Sequence, residues 1–373
     1  MIEPSVATER LRAIPVWQQA LRRPEMGAVG GAIIVFAFFG LVAGDSGMFS
    51  PSGIANFLEV SAFLGIIAVA AALLMIGGEF DLSVGSMIGF ASICIAIPLA
   101  EWGWPLWLAV LFAFGVAVMV GVTNATLVNK TGLPSFIITL AMLFILRGLT
   151  IAVTRLLTNR TQIPNLREHY ETCATDAAGV QFCTISDPVA WLFSGRFGET
   201  WFTEVVNGVE VPAWNGISMA VVWWIGLAAV ATFVLLRTRF GNWIFSVGGD
   251  KLAARNVGVP VAHVKTVLFV CTACAATLFA TIQVLDAGSA DTQRGVLKEF
   301  EAIIAAVIGG CLLTGGYGSA VGAAIGALIF GTVFMGIYFT GVNTDWFKVF
   351  LGLMLIVAVL FNNYIRHRAT TSK

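Results

Sequence analysis

Runs free of Asp, Glu, Lys and Arg recur along the chain at Met26–Gly44, Val60–Gly78, Leu82–Ala100, Trp102–Asn129, Val211–Leu236, Thr266–Leu285 and Ala302–Thr344. A helix needs about 20 apolar residues to cross the hydrocarbon core of a bilayer. The last run is too long for one crossing, and Gly315-Gly316-Tyr317-Gly318 breaks it. Two further spans are shorter or carry a charge: Pro134–Val153, with Arg147 inside it, and Val349–Ile365. The pattern predicts an all-α polytopic membrane protein with about ten transmembrane helices, at 27–44, 54–77, 82–100, 106–128, 134–154, 216–236, 266–286, 299–314, 319–340 and 346–363.

Composition agrees. Apolar residues make up 58% of the 373 and charged residues 11%, against about 25% charged in soluble domains. Net charge is zero, which leaves no basic face for nucleic acid. Three His and six Cys show no metal-ligand spacing, so no metal site is expected. Basic residues set the orientation. They gather in 1–26 (Arg10, Arg12, Arg22, Arg23), at Lys130, in 237–265 (Arg237, Arg239, Lys251, Arg255, Lys265) and in the tail (Arg366, Arg368, Lys373). These segments and both termini are predicted cytoplasmic. The domain reading is a cytoplasmic segment 1–26, a transmembrane domain 27–363 and a cytoplasmic tail 364–373. No cleavable signal is evident ahead of the first span.

Segment 156–215 is the one stretch that looks soluble, and it is predicted outside. It holds Cys173 and Cys183, while Cys94, Cys271, Cys274 and Cys311 lie in spans. Two thiols in an extracytoplasmic loop point to a disulfide, with free thiols as the alternative. Cys271-x-x-Cys274 has a redox spacing, but inside an apolar helix it reads as two small packing residues.

Two polar stretches stand out. In Gly77-Gly-Glu-Phe-Asp-Leu-Ser-Val-Gly-Ser86, Glu79 and Asp81 sit between apolar runs, and no Lys or Arg occurs between Arg23 and Lys130. Charge at membrane depth is retained for a pathway or a structural pair. Asp81 also suits a helix start, and cap and pathway are compatible readings. In the second stretch, Asp250 is placed to cap a short helix over 251–257, stopped by Gly258 and Pro260. A basic two-turn helix between spans either docks a cytoplasmic partner or lies among lipid headgroups. Arg147 reads as an interface-facing or carbonyl-bonded residue rather than a substrate ligand.

These residues resemble a family. Gly77-Gly-x-x-Asp-Leu-Ser-Val-Gly-Ser86, Gly132-Leu-Pro-Ser-Phe-Ile-Ile-Thr-Leu…Arg147-Gly148, Phe240-Gly…Gly248-Gly-Asp…Ala253-Ala-Arg-Asn-Val-Gly258 and Glu299-Phe-Glu-Ala…Gly309-Gly…Gly315-Gly-x-Gly-Ser319 follow one another in order. Together they are similar to the permease subunits of ribose/xylose-type bacterial ABC sugar importers, over roughly 54–363 without the long loop. The resemblance implies an inner-membrane subunit that pairs with a second copy. Cytoplasmic ATPase subunits would carry ATP and Mg, and a periplasmic binding protein would deliver a monosaccharide. It places Ala253, Ala254, Arg255 and Gly258 in the helix coupled to the ATPase. Gly77, Gly78, Asp81, Ser83 and Gly85 fall in the signature, and Glu299 and Glu301 on the binding-protein face. The long loop, Tyr317 and Ser319 in the 8–9 turn, and the charged 7–8 loop (Asp286, Asp291, Arg294, Lys298) depart from the pattern.

No Gly-x-x-x-x-Gly-Lys-Ser/Thr pattern occurs. The chain is therefore expected to be no enzyme and to need no cofactor of its own. Runner-up readings are a related permease for branched-chain amino acids or nucleosides, and an ion-coupled secondary transporter. The latter expects ionisable groups mid-span, where only Glu59 and Arg147 come near. An intramembrane enzyme would need a nucleophile–base or metal set at membrane depth, and no His lies in a predicted span.

Overall fold

The computed structural model describes residues 25–175, 181–206, 209–212, 214–343 and 345–371. Arg10, Arg12, Arg22, Arg23 and Lys373 of the charge reading lie outside them. Five helices come first: α1 (Glu25–Val42), α2 (Pro51–Ile76), α3 (Val84–Ala100), α4 (Leu106–Thr131) and α5 (Ser135–Thr158). Their limits follow from local chemistry. Ser50 caps α2 by accepting from Gly53 N at 3.1 Å, with Pro51 as its first residue. Gly132 takes up a left-handed conformation after α4. Beyond the 159–218 segment, which carries the short α6 (Pro188–Ser194), come α7 (Met219–Arg237), α8 (Arg239–Gly249), α9 (Lys251–Asn256), α10 (Val261–Ala287), α11 (Lys298–Ile308), α12 (Ala320–Phe339) and α13 (Trp346–Thr371).

Among the described residues, seven helices are long and apolar enough to cross a membrane: α1, α2, α4, α5, α7, α10 and α12. The apolar helix α3 is shorter, with 17 residues. The expected eighth span at 299–314 is instead an 11-residue helix, α11. It stops at Ile308 because Gly309 and Gly310 follow, the latter at φ +92°, and the chain then turns through Gly315 and Gly316 at positive φ.

The helices form two halves of opposite direction. α2 and α10 are antiparallel: Glu59 and Asp286 share Arg196, the Phe63 and Phe279 rings meet at 5.4 Å, and Glu79 pairs with Lys265. α2 packs on α11 and α12, and α10 packs on α3 and α4. Gly331 of α12 lies against the α2 backbone at Ser61, and Gly121 of α4 lies against the α10 backbone at Val270. The same offset along the chain relates Gly85 to Gly295, which pack against each other, and Asp81 to Asp291. α2–α5 and α10–α13 are thus an inverted pair, an arrangement that recurs in transporters. Asp81-Leu-Ser-Val-Gly85 and Asp291-Thr-Gln-Arg-Gly295 fall at the break in each half.

The 159–218 segment covers one end of the bundle. It contributes β1 (Gln162–Ile163), β2 (Glu171–Thr175), β3 (Gln181–Ile185), β4 (Arg196–Phe197), β5 (Thr203–Val206), β6 (Val209–Pro212) and β7 (Ile217–Ser218), while β8 (Ala290–Asp291) follows α10. They pair antiparallel as β1–β8, β2–β3, β4–β7 and β5–β6. Cys173 and Cys183 are register partners across β2 and β3 and form a disulfide, with Cα atoms 4.0 Å apart. Arg196 clasps the cap to the bundle, reaching Glu59 at 2.8 and 3.2 Å and Asp286 at 2.9 Å. Burial opposes the guanidinium charge, but Glu59 and Asp286 outweigh it and hold the pKa above the usual arginine value. Tyr170 donates to Leu285 O at 2.7 Å, and burial pushes its phenol up. In intact cells, neither Cys173 nor Cys183 should react with an impermeant maleimide until a reductant is added. Free labelling of both without reductant would show that the bridge does not form.

Candidate functional site

At the end of the bundle opposite the cap, α8 and α9 follow one another as a ledge. Asp250 starts α9, its Oδ1 accepting from Leu252 N at 2.8 Å and Ala253 N at 3.0 Å. Gly258, at φ +87°, ends it. Ala254 is buried and anchors α9, while Ala253, Arg255 and Gly258 are exposed. Leu252 and Val257 are 67% and 78% exposed. These apolar side chains stand beside exposed Lys251 and Arg255.

Glycines join this ledge to the α2–α3 break. An added Cβ at Gly248 would collide with the Ile76 carbonyl and lie 2.6 Å from Gly316 N. At Gly315 it would lie 2.7 Å from Gly78 Cα, and at Gly316 2.9 Å from Gly249 Cα. Gly316 N donates to Ile76 O at 2.8 Å. Three segments, 76–78, 248–249 and 315–316, therefore meet backbone to backbone. The turn from α11 to α12 is held from the other side: Ser319 caps α12 through Gly322 N and donates to Glu25 Oε1 at 2.7 Å.

From this junction, residues 77–83 climb back into the bundle. Phe80 N donates to Ser135 Oγ at 3.0 Å, and one turn further along α5 Leu82 N donates to Thr139 Oγ1 at 3.1 Å. Asp81 Oδ1 accepts from Ser83 N at 2.9 Å and Ser83 Oγ at 2.5 Å, and its Oδ2 accepts from Thr272 Oγ1 at 3.0 Å. Asn124 Nδ2 donates to Ser83 Oγ at 3.1 Å. Thr272 lies roughly 16 Å into α10, and Asn124 roughly 10 Å from the end of α4, at 1.5 Å per residue. All four side chains are buried. Asp81 thus both closes the turn ahead of α3 and ties α3, α4 and α10 together. Lower down, Glu79 forms a buried ion pair with Lys265. A cavity of about 460 Å³ lies between Glu79, Lys265, Ser135, Gly248 and Lys251.

The second break, residues 288–297, dips into the bundle before α11 begins. Arg147 Nη1 donates to the carbonyls of Thr292 and Arg294, both at 3.2 Å. That dip moves Glu299 away from the outer docking face implied for it: the side chain is buried and its carboxylate lies against Gly85. Glu301 is half-buried and pairs with Lys298 at 2.5 Å. The unusual charges of this segment turn inward on the chain itself. Arg294 reaches Gln283 O at 2.9 Å, and Asp291 Oδ1 accepts from Gln293 N at 2.6 Å. Cys271 and Cys274 are free thiols.

Sequence reading gave no site role to Lys265, Thr272, Asn124, Ser135 or Thr139, although Ser135 and Thr139 fall within the Gly132-Leu-Pro-Ser-Phe-Ile-Ile-Thr-Leu string. Asn124 and Thr272 had a signal, since polar groups deep in apolar spans need partners. Lys265 was legible only as a loop charge, because its partner Glu79 is far away in sequence. Removing one member of a buried pair costs about 3–5 kcal/mol by leaving an uncompensated charge. Lys265→Met should therefore lower thermal stability in detergent sharply, and the double variant with Glu79→Met should recover most of the loss. Equal melting of Lys265→Met and wild type would show that the pair does not carry this load.

Residues 53–359 match the protein family described as "Branched-chain amino acid transport system / permease component". The xylose transport system permease protein XylH of Escherichia coli is 28% identical over 367 residues, covering 91% of each chain. The fructose import permease protein FrcC of Rhizobium meliloti is 29% identical over 328 residues, covering 88% of this chain and 82% of its own. The ribose import permease protein RbsC of Escherichia coli is 28% identical over 316 residues, covering 84% and 87%. No solved structure matches the chain. With the family match extending from the start of α2 to about the middle of α13, the chain belongs to the permease-component family of these transport systems.

Proposed function

We propose that this chain is the membrane-spanning subunit of an ATP-binding cassette importer that carries a monosaccharide, a pentose, hexose or polyol, across the inner membrane. The observation that carries the reading is the glycine junction: it joins an exposed two-turn helix to the buried Asp81 segment without an intervening side chain. The names of the xylose, fructose and ribose relatives, with the Asp81-Leu-Ser-Val-Gly85 string, support sugar as cargo. The family's own description supports the runner-up, a branched-chain amino acid. An ion-coupled transporter is less favoured. Glu59 pairs with Arg196 of the cap, and Arg147 is bound to carbonyls, so neither is a vacant ion ligand.

The topology we infer has ten crossings, the seven long apolar helices together with α13 and the shortened α3 and α11, with both termini and the α8–α9 ledge cytoplasmic. The 159–218 cap then faces the periplasm, where a sugar-binding protein docks. Two copies of the chain flank a central pathway. ATP and Mg belong to the partner ATPases, which receive Leu252, Ala253, Arg255 and Val257 of α9. ATPase closure shifts α9, and Ala254 makes α8 follow it. Because Gly248 and Gly249 touch residues 76–78 and 315–316 directly, the shift reaches the Asp81 segment and the α11–α12 turn without being absorbed by side-chain rotation. Substrate choice rests largely with the binding protein.

Arg255→Glu should reverse the charge on this surface and reduce ATPase co-purification from solubilised membranes by about tenfold, with insertion intact. Gly248→Ala should keep the ATPase bound and still lose uptake, since its Cβ has no room at Ile76. Full ATPase recovery with Arg255→Glu would refute the coupling assignment. Uptake by the purified chain alone, without ATP, would refute the importer.

A further inference from the structure

Two ionisable side chains inside the bundle have no part in the coupling route. Arg147 stands roughly 18 Å along α5 from Ser135, at 1.5 Å per residue. Among the described residues its hydrogen bonds both come from Nη1 and both go to neutral carbonyls, those of Thr292 and Arg294. Glu299, the second residue of α11, is 5% exposed, and its Oε2 has no hydrogen-bond partner among the described residues. A buried carboxylate oxygen without a donor is a costly resting arrangement. The nearby guanidinium is the cation that could relieve it, and in this conformation it is bound elsewhere.

The two groups share one groove. Gly85 and Gly89 lie on the same face of α3, four residues apart. An added Cβ at Gly85 would run into Glu299 Oε2. At Gly89 it would lie 3.4 Å from Arg147 Nη1 and 2.9 Å from the Arg294 carbonyl oxygen. Residues four apart on a helix face are about 5–6 Å from one another. Arg147 and Glu299 therefore occupy neighbouring steps of a track about one helical turn long, and the glycines leave no side chain of α3 between them. Gly295, in the second break, closes the track by packing on the Gly85 carbonyl and Ile88.

We propose that Arg147 is a positioning residue that exchanges partners along this track during transport. It binds the Thr292 and Arg294 carbonyls in the conformation described here, and the Glu299 carboxylate after α5 and α3 slip by one turn. One-turn shifts of packed elements are an established form of switching. The exchange replaces two hydrogen bonds to neutral oxygens with an ion pair between guanidinium and carboxylate, and it releases residues 292–297 from α5. The role of Glu299 is then to receive Arg147, which accounts for a carboxylate kept buried and half-satisfied. The inference rests on the importer reading for the cycle that drives the slip.

The test uses the chain assembled with its ATPase in lipid nanodiscs and reads amide hydrogen exchange across 292–297. Arg147→Gln should lower protection there by about tenfold in the resting complex, because the strut is gone. Glu299→Gln should leave resting protection unchanged, yet abolish the loss of protection that the wild type shows when trapped with ADP and vanadate. As a second measurement, Arg147→Cys with Glu299→Cys should cross-link on oxidation in the trapped complex and not in the resting one. Both single variants should retain the ATPase and lose at least about tenfold in ATP-driven uptake. Unchanged 292–297 protection on trapping the wild type, or wild-type uptake with Glu299→Gln, would overturn the exchange. Uptake by the wild-type complex without ATP would overturn the importer reading instead, while the resting-state arm would still decide whether Arg147 holds the 292–297 segment.

Discussion

Three stretches of backbone meet where none of them carries a Cβ. Gly78, Gly248, Gly315 and Gly316 bring the end of α2, the end of α8 and the α11–α12 turn within van der Waals distance. Several of these residues take positive φ, which other residues adopt only with strain. The contact needs glycine twice over, for conformation and for space. The placement of the ledge, the start of the climb of residues 77–83 and the path of the α11–α12 turn all depend on this close approach.

A second constraint comes from the solvent. Within a bilayer, every backbone polar group must find an internal partner, so irregular chain survives at depth only where protein satisfies it. The 77–83 segment meets that condition with side chains: Ser135 and Thr139 accept from its N–H groups, and Asp81 accepts from Ser83 and Thr272. The 288–297 segment meets it with Arg147 on its carbonyls and with the β1–β8 pairing at its outer end. The inverted halves thus solve one problem with opposite chemistry, hydroxyl and carboxylate acceptors for N–H groups on one side and a cationic donor for C=O groups on the other. Buried charge in this bundle is mostly answered by a partner, as Glu79 is by Lys265 and Glu59 by Arg196. Glu299 Oε2 departs from that rule.

The cap shows how a polar insertion is tied to such a bundle. Its strands are short and pair in twos, and isolated two-stranded pairs are marginal by themselves. Its order comes instead from ties to the bundle, where Ile163, Leu166, Tyr170, Ala190 and Phe193 are buried. The Cys173–Cys183 bridge fixes the register of β2 and β3, and Arg196 and Tyr170 fasten the segment to the ends of α2 and α10. The clasp at Glu59 lies in the first turns of α2, so the cap is positioned relative to the same helix whose other end enters the glycine junction.

The apolar runs by themselves determined that the chain is a membrane protein and, within a few residues, where most helices begin and end. Apolar length and the capping or breaking residues beside it are local properties, as Ser50 and Gly132 illustrate. Asp250, Gly258 and Pro260 likewise marked the short helix α9 before any packing was known. Only the tertiary structure decided which charges meet. Glu79 and Lys265, Arg147 and the Thr292 carbonyl, and Asp81 and Thr272 are each separated by well over a hundred residues, and hydropathy carries no information about partners. It also decided the depth of Glu299. A charged stretch between two apolar runs reads as a surface loop, and only packing shows that 288–297 enters the bundle, where Gly295 lies against Gly85 across the two halves.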